Sequence, residues 1–358
     1  MTKDKGILIK NIYYMLTYAF QVLKQSRYDE MAAEEFENIH DLFASILLKG
    51  ISKQLKRGIY RDYISKRDNL SVLRGKLDIY GTITNKLQRK QMLSCEYDEI
   101  SANNLFNQIL KTTATILQQQ SSVSQERRKA LKKLMLFLDG IDIIEPSGIQ
   151  WNRLRFHRHN HYYKMLLYIC YFVLDGLLLS TDKGQYKMAS FVDEQHMHKL
   201  YEKFVLEYYR YHHPELRPAS SQIAWNIDDD NGIFEVLNVL PVMQTDITLR
   251  YGEKILIIDT KYYSHTMQSQ NQYDSRTLHS NNLYQIFTYV KNQDVRTTGN
   301  VAGMLLYAKT EEAITPDYDF RMGGNMFSVK TLDLNISFSN IAAQLDGIVI
   351  SYFGDTKG

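Results

Sequence analysis

The stretch ILIIDTKYY, residues 255–263, ends an apolar run with Asp259 and Lys261, and the tail GDTKG, residues 354–358, repeats the same tripeptide. The first copy has a partner. The segment TDITLRYGEKILIIDTKYY, 245–263, reads as a hairpin closed by Gly252 and Glu253, the glycine suiting the first position of a type II′ turn. Residue i then faces residue 505 minus i, which sets Asp246 opposite Asp259. Residues two apart on a strand share a face, so Lys261 points the same way as Asp259.

Two carboxylates this close repel unless a cation lies between them, and Mg²⁺ is commonly held by one or two carboxylates with water. Such an ion polarises a phosphate oxygen and lowers the pKa of a bound water, while a nearby Lys orients that water or offsets developing charge. The chemistry indicated is Mg²⁺-dependent phosphodiester hydrolysis. An acid two residues before a Lys arises by chance about twice in a chain of this size and ordinary composition. The tail copy, set between glycines with no apolar strand and no facing carboxylate, is such an accident.

Directly after the hairpin, HSNNLYQIFTYV at 279–290 reads as a helix in which Gln285 and Tyr289, four apart, project from one face. Strand acids followed by this pair resemble the PD-(D/E)xK nuclease superfamily, in particular its RecB-like branch, whose helix carries a Q-x-x-x-Y pair near the metal. That resemblance implies a further acid from the first helix of the fold. In LYEKFVLEYYR the candidates are Glu202, our choice, and Glu207. Thr245 stands where the superfamily pattern has Pro, and Asp259 where Glu is common; neither change removes a ligand. His279, Tyr262 and Tyr284 flank the motifs and are candidate contacts to a DNA backbone.

These residues need a scaffold. At 358 residues the chain suits two domains. With 44% hydrophobic and 23% charged residues and only 5 prolines it reads as globular, without a low-complexity segment. A net charge of +3 permits a polyanionic partner without requiring one. Cys95 and Cys170 are too few for a disulfide framework and lack neighbours for zinc. The most apolar run, at 165–179, carries Asp175 and falls short of the ~20 residues of a membrane span, and the start has no signal-peptide core. A cytoplasmic protein with no membrane association is expected.

Apolar spacing predicts helices over 7–24 (Ile12, Leu16, Ala19, Phe20, Leu23) and over about 42–57, the latter closed by Gly58. From 58 to 100, short aromatic and β-branched runs broken by Gly and Asn favour strands with loops. A helical hairpin follows, one helix capped by Ser101, the other burying Leu131, Leu134 and Phe137 beneath a basic face of Arg127, Arg128, Lys129, Lys132 and Lys133. DGIDIIEPSGIQ, at 139–150, resembles a domain boundary, dividing the chain into 1–150, helices with a small β part, and 151–358. In the second part, helices at 161–180 and 194–211 precede strands in 236–250, 254–263 and 299–308. The fold class expected is α/β with a mixed central sheet flanked by helices, after an α+β N-terminal domain.

NIYYMLTYAF at 11–20, KRGIYRDY at 56–63, the LRGKLDI and NNLFNQILKTT segments, LPVMQTDITLRYGEKILIIDTKYY and HSNNLYQIFTYV together resemble the McrC family, the nuclease subunits of McrBC modification-dependent restriction systems. The resemblance spans most of the chain. It implies DNA cleavage only together with an McrB-like AAA+ GTPase ring that recognises double-stranded DNA with methylated or hydroxymethylated cytosine, and stimulation of that ring's GTP hydrolysis. No G-x-x-x-x-G-K-[ST] loop occurs, so any GTP is expected on the partner. The N-terminal half is then the expected docking region, and the basic turn Arg74-Gly75-Lys76 a candidate to approach the partner's nucleotide as an arginine finger does. A stand-alone nuclease of the superfamily and a non-catalytic GTPase-activating adaptor are the alternatives.

Overall fold

A computed structural model describes residues 3–4, 7–20, 36, 38–158, 160–180, 186–188, 194–227, 238–262, 268–269, 276–309 and 315–355. In chain order the main elements are α1 (Ile9–Ala19), α2 (Ile39–Arg57), β1 (Asp62–Leu70), β2 (Lys76–Leu77), α3 (Ile79–Leu87), β3 (Leu93–Ser101), α4 (Leu105–Gln119) and α5 (Gln125–Met135). There follow α6 (Lys164–Tyr171), α7 (Glu194–His212), β4 (Ile247–Tyr251), β5 (Lys254–Lys261), α8 (Ser280–Gln293), β6 (Val301–Ala308), β7 (Tyr318–Met322), β8 (Asn325–Leu332) and α9 (Phe338–Phe353).

The chain forms two compact units, one of residues 1–39 with 189–358, the other of 40–188. The division drawn at 150 therefore falls inside the second unit. Its Pro/Gly stretch is a surface turn tied back to α4 and to the loop before it: Lys111 Nζ donates to the carbonyls of Leu138 and Ile141, and Asn103 Nδ2 to Asp142. The N-terminal helix joins the C-terminal unit because its buried face packs on α7, where Tyr18 meets Phe204 edge-on and its hydroxyl lies 2.8 Å from His212 Nε2. Asn11 Nδ2 donates to the carbonyls of Leu334 and Ile336, which pins α1 beside the end of β8.

The C-terminal unit is built on a five-stranded mixed sheet of order β4-β5-β6-β8-β7. The two edge pairs are antiparallel and the two central ones parallel. Central strands buried on both faces read as continuous apolar runs, and every residue of β6, VAGMLLYA, is buried. On one face Ile257, Leu305 and Phe327 pack against Ile286, Tyr289 and Val290 of α8. Gly303 permits this approach, since a Cβ there would lie 2.8 Å from both Ile286 Cγ1 and Val290 Cγ2.

The second unit holds a three-stranded antiparallel sheet of order β1-β3-β2. The sequence favours a few strands with loops over 58–100, but IYGTITNKL forms α3, because the Asp78 carboxylate accepts the Gly81 N–H at 3.2 Å and starts a helix there. The cap of α4 is Asn104, whose side chain accepts from Asn107 N, rather than Ser101. Phe137 was expected inside and is 75% exposed. The last turn tightens to a 3₁₀ helix at Leu136–Leu138, which turns Leu138 inward instead. The helix expected over 161–180 is α6 with a 3₁₀ turn before it and a π-helical segment, Phe172–Leu177, after it, ending in a strand at Leu178.

Candidate functional site

The β4–β5 hairpin has the expected register: Ile247 faces Ile258, Thr248 faces Ile257 and Tyr251 faces Lys254. Gly252 takes φ +56°, and Glu253 is not among the described non-glycine residues with positive φ. That combination is the type II′ turn. The regular ladder stops at Ile247, so Asp246 is set by side-chain bonds rather than by strand pairing. Its Oδ2 accepts the Thr260 N–H and the Thr260 hydroxyl, both at 2.7 Å.

Thr245, at the position where the PD-(D/E)xK pattern has Pro, explains how this bend is held. Its N–H donates to the Ser221 carbonyl at 2.9 Å, its hydroxyl accepts the Ser221 N–H at 3.0 Å, and its carbonyl accepts the Ser220 hydroxyl. Proline has no N–H to give.

On β5, Asp259 is 1% exposed and Lys261 is buried beside it. The ammonium lies 2.7 Å from Asp259 Oδ2, although neither carboxylate oxygen has a hydrogen-bond donor in proper alignment. We treat the contact as an ion pair, because Coulomb attraction depends on separation and not on angle. Lys261 Nζ also donates to Gln285 Oε1 at 3.2 Å, and Gln285 Nε2 donates to the Tyr289 hydroxyl at 3.0 Å. The ammonium can only face the amide oxygen, which fixes the orientation of Gln285.

Helix α7 brings the remaining groups. Burial, then the charges of Asp246 and Asp259, push the Glu202 carboxyl up to about 7, against the opposing pull of Lys261 and Lys203. Burial likewise raises Asp259 above the usual carboxylate range, with Asp246 adding to the rise and Lys261 opposing it. Glu207 is turned elsewhere and pairs with Arg210 at 2.7 Å. His198, one turn before Glu202, was not foreseen. Burial holds its imidazole below the ordinary range, while Asp246 raises it and Lys261 lowers it. The signal available was the spacing of four in HKLYE, which puts His198 and Glu202 on one face.

A buried carboxylate whose oxygens lack aligned donors, beside a Glu202 carboxyl raised by the charges of Asp246 and Asp259, is a site suited to a divalent cation. Among the described residues no group of three or more His, Cys, Asp or Glu side chains is placed to hold a metal ion together. One or two carboxylates with water is the manner in which Mg²⁺ is held.

The other flanking residues divide. Tyr262 is 2% exposed and out of reach of a phosphate chain, because it follows β5 into the interior. His279 sits at the N-cap of α8 and Tyr284 projects from that helix into solvent. Arg74 is half-exposed, its guanidinium 3.9 Å from the Tyr97 ring centre and 3.8 Å from Glu99 Oε1; Lys76 next to it is exposed on β2. Lys357 of the tail copy lies outside the described residues.

Residues 3–308 match the family described as "McrBC 5-methylcytosine restriction system component". The chain belongs to the McrBC family. A curated relative of this McrBC-family chain, the type IV methyl-directed restriction enzyme EcoKMcrBC of Escherichia coli K12, is 28% identical over 97% of the chain and 98% of the relative. A chain in the refined half-complex from the tetradecameric assembly of Thermococcus gammatolerans McrB AAA+ hexamers with bound McrC is 18% identical, covering 95% of this chain and 76% of that one, with a TM-score of 0.49. A second, from the cryo-EM structure of the Thermococcus gammatolerans McrBC complex, is 22% identical over 56% of each chain, with a TM-score of 0.37. No helix among the described residues of the McrBC-family chain is long and apolar enough to cross a membrane.

Proposed function

We propose that the chain is the Mg²⁺-dependent DNA endonuclease subunit of a GTP-driven restriction complex directed at modified cytosine, with a PD-(D/E)xK-type nuclease site in its C-terminal unit. The observation that carries this is the meeting of Asp259, Lys261 and Gln285 at the end of β5, with Asp246 close enough to raise both the Asp259 and the Glu202 carboxyls. Asp246 and Asp259 are the metal-holding pair and Glu202 the third acid. The Mg²⁺ ion, when bound, supplies charge to the scissile phosphate and acidity to a coordinated water. Lys261, with Gln285 and Tyr289 behind it, holds a fixed ammonium beside the acids, where it orients that water and offsets charge developing on phosphorus oxygens. Tyr284, on the solvent side of α8, and the half-buried His279 at its N-cap are the backbone contacts.

The partner we propose is an McrB-like AAA+ GTPase ring, consistent with family membership and with the lack of a P-loop in this chain. The docking region is the small sheet of the second unit. Around it Tyr63, Val72, Leu73, Ile79, Tyr80 and Leu87 are all exposed, an apolar accumulation that marks interaction surfaces rather than free solvent faces. Arg74 and Lys76 at its rim are the candidates to act on the partner's nucleotide.

The test is cleavage of cytosine-methylated plasmid by wild-type chain in Mg²⁺, with and without GTP and the partner ring. Cutting that needs both is expected. Cutting without either would instead establish a stand-alone nuclease.

A further inference from the structure

We propose that Thr260, the central residue of the Asp-Thr-Lys tripeptide, is a positioning residue that aims the Asp246 carboxylate at the metal position. The inference rests on the nuclease-site assignment above and deepens it.

Asp259 and Lys261 leave β5 on one face, so Thr260 points to the other, and it is 0% exposed. A hydroxyl buried so completely requires a partner. Its partner is Asp246 Oδ2, at 2.7 Å, and the Thr260 N–H reaches the same oxygen at 2.7 Å. Two donors on one carboxylate oxygen fix both its place and its plane. Asp246 needs this anchor because backbone pairing between β4 and β5 has ended one residue earlier, at Ile247 with Ile258. Oδ1 of Asp246 takes no hydrogen bond among the described residues, so the oxygen that Thr260 does not hold is the one left for a cation.

The residue type fits the task. A β-branched side chain on a strand has a restricted χ1, so the hydroxyl is presented in one direction without further support. Valine would keep the branch and lose the donor; serine would keep the donor and lose only a methyl group.

The test is direct Mn²⁺ binding to the full chain by titration calorimetry, for wild type, Asp259→Ala, Thr260→Val, Thr260→Ala and Thr260→Ser, with thermal unfolding of each apo-protein alongside. The expected result is binding by wild type, loss in Asp259→Ala, affinity weakened about tenfold in Thr260→Val and Thr260→Ala, and Thr260→Ser within about threefold of wild type, the scale of one hydrogen bond to a charged group. If Thr260→Val fails to fold, the Ala and Ser variants, which differ by one oxygen, decide alone. Equal affinity in those two, or wild-type affinity in Thr260→Val, overturns the role of Thr260 while leaving the metal site standing. No binding by wild type, or wild-type binding by Asp259→Ala, overturns the site assignment itself.

Discussion

Lys261 and Asp259, two residues apart on one strand, meet as a buried ion pair at 2.7 Å. Burial of both charges is costly unless further groups share them. Gln285 does so for the ammonium, while the carboxylate has no aligned hydrogen-bond donor at either oxygen. Such an arrangement fits the cation site proposed above better than a device for stability.

Glu202 makes the apo-protein sensitive to pH. Its carboxyl is raised from 4.5 to about 7 in the folded chain, so the folded state binds more protons than the unfolded one between those values. The stability it contributes is full below 4.5 and is lost as pH rises through about 7. Allowing for solvent screening at a half-buried position, the loss is roughly 1–2 kcal/mol. Urea unfolding in chelator from pH 5 to 8 is expected to show this decline in wild type and a flatter profile in Glu202→Gln.

Gln285 and Tyr289 act on Lys261 in series. Removing the hydroxyl in Tyr289→Phe leaves the Gln285 amide oxygen facing the ammonium, so turnover is expected to drop only about two- to fivefold. Gln285→Ala deprives Lys261 of a charge-assisted hydrogen bond, and a loss of about tenfold or more is expected. Initial rates of plasmid cleavage at saturating Mg²⁺ distinguish the two. Equal losses would mean that the pair does not work through Lys261.

Thr245→Pro would install the dipeptide common in the PD-(D/E)xK pattern and should nevertheless be harmful here. It removes the N–H to Ser221 and the hydroxyl that Ser221 and Thr248 share, at a cost of about 2–3 kcal/mol. Chemical denaturation measures this directly. A neutral effect would show that the strand edge re-forms without those bonds.

On the small sheet, Tyr80→Ser with Leu87→Ser should weaken association with the partner ring about tenfold or more, since each side chain forfeits apolar burial worth about 1–2 kcal/mol. Both are largely exposed in the free chain, so unfolding midpoints should stay near wild type. Partner binding by the double variant at wild-type strength would place the docking surface elsewhere.

The hairpin was legible in the sequence because its register depends on a two-residue turn and on strict alternation, both local properties. Helix α8 was legible through its apolar spacing. What escaped depends on contacts distant in sequence. His198 joins the site only because α7 crosses the end of β5. Thr260 looks like a spacer between two charged residues until the bend at Asp246 is seen. Helix α3 is composed of residues that favour strands, and a single Asp78 cap overrides that preference. The place of α1 in the C-terminal unit follows from Asn11 reaching carbonyls more than 300 residues away, which no local pattern encodes.

In the function proposed here, Asp259 lies at the centre of a phosphodiester-cleaving site. The most direct test is cleavage of cytosine-methylated plasmid in Mg²⁺ and GTP by the complete system, comparing wild type with Asp259→Ala after confirming that both bind the partner ring and both support its GTP hydrolysis. Abolished cleavage with GTP hydrolysis retained is the result predicted. Cleavage by Asp259→Ala at the wild-type rate would contradict it.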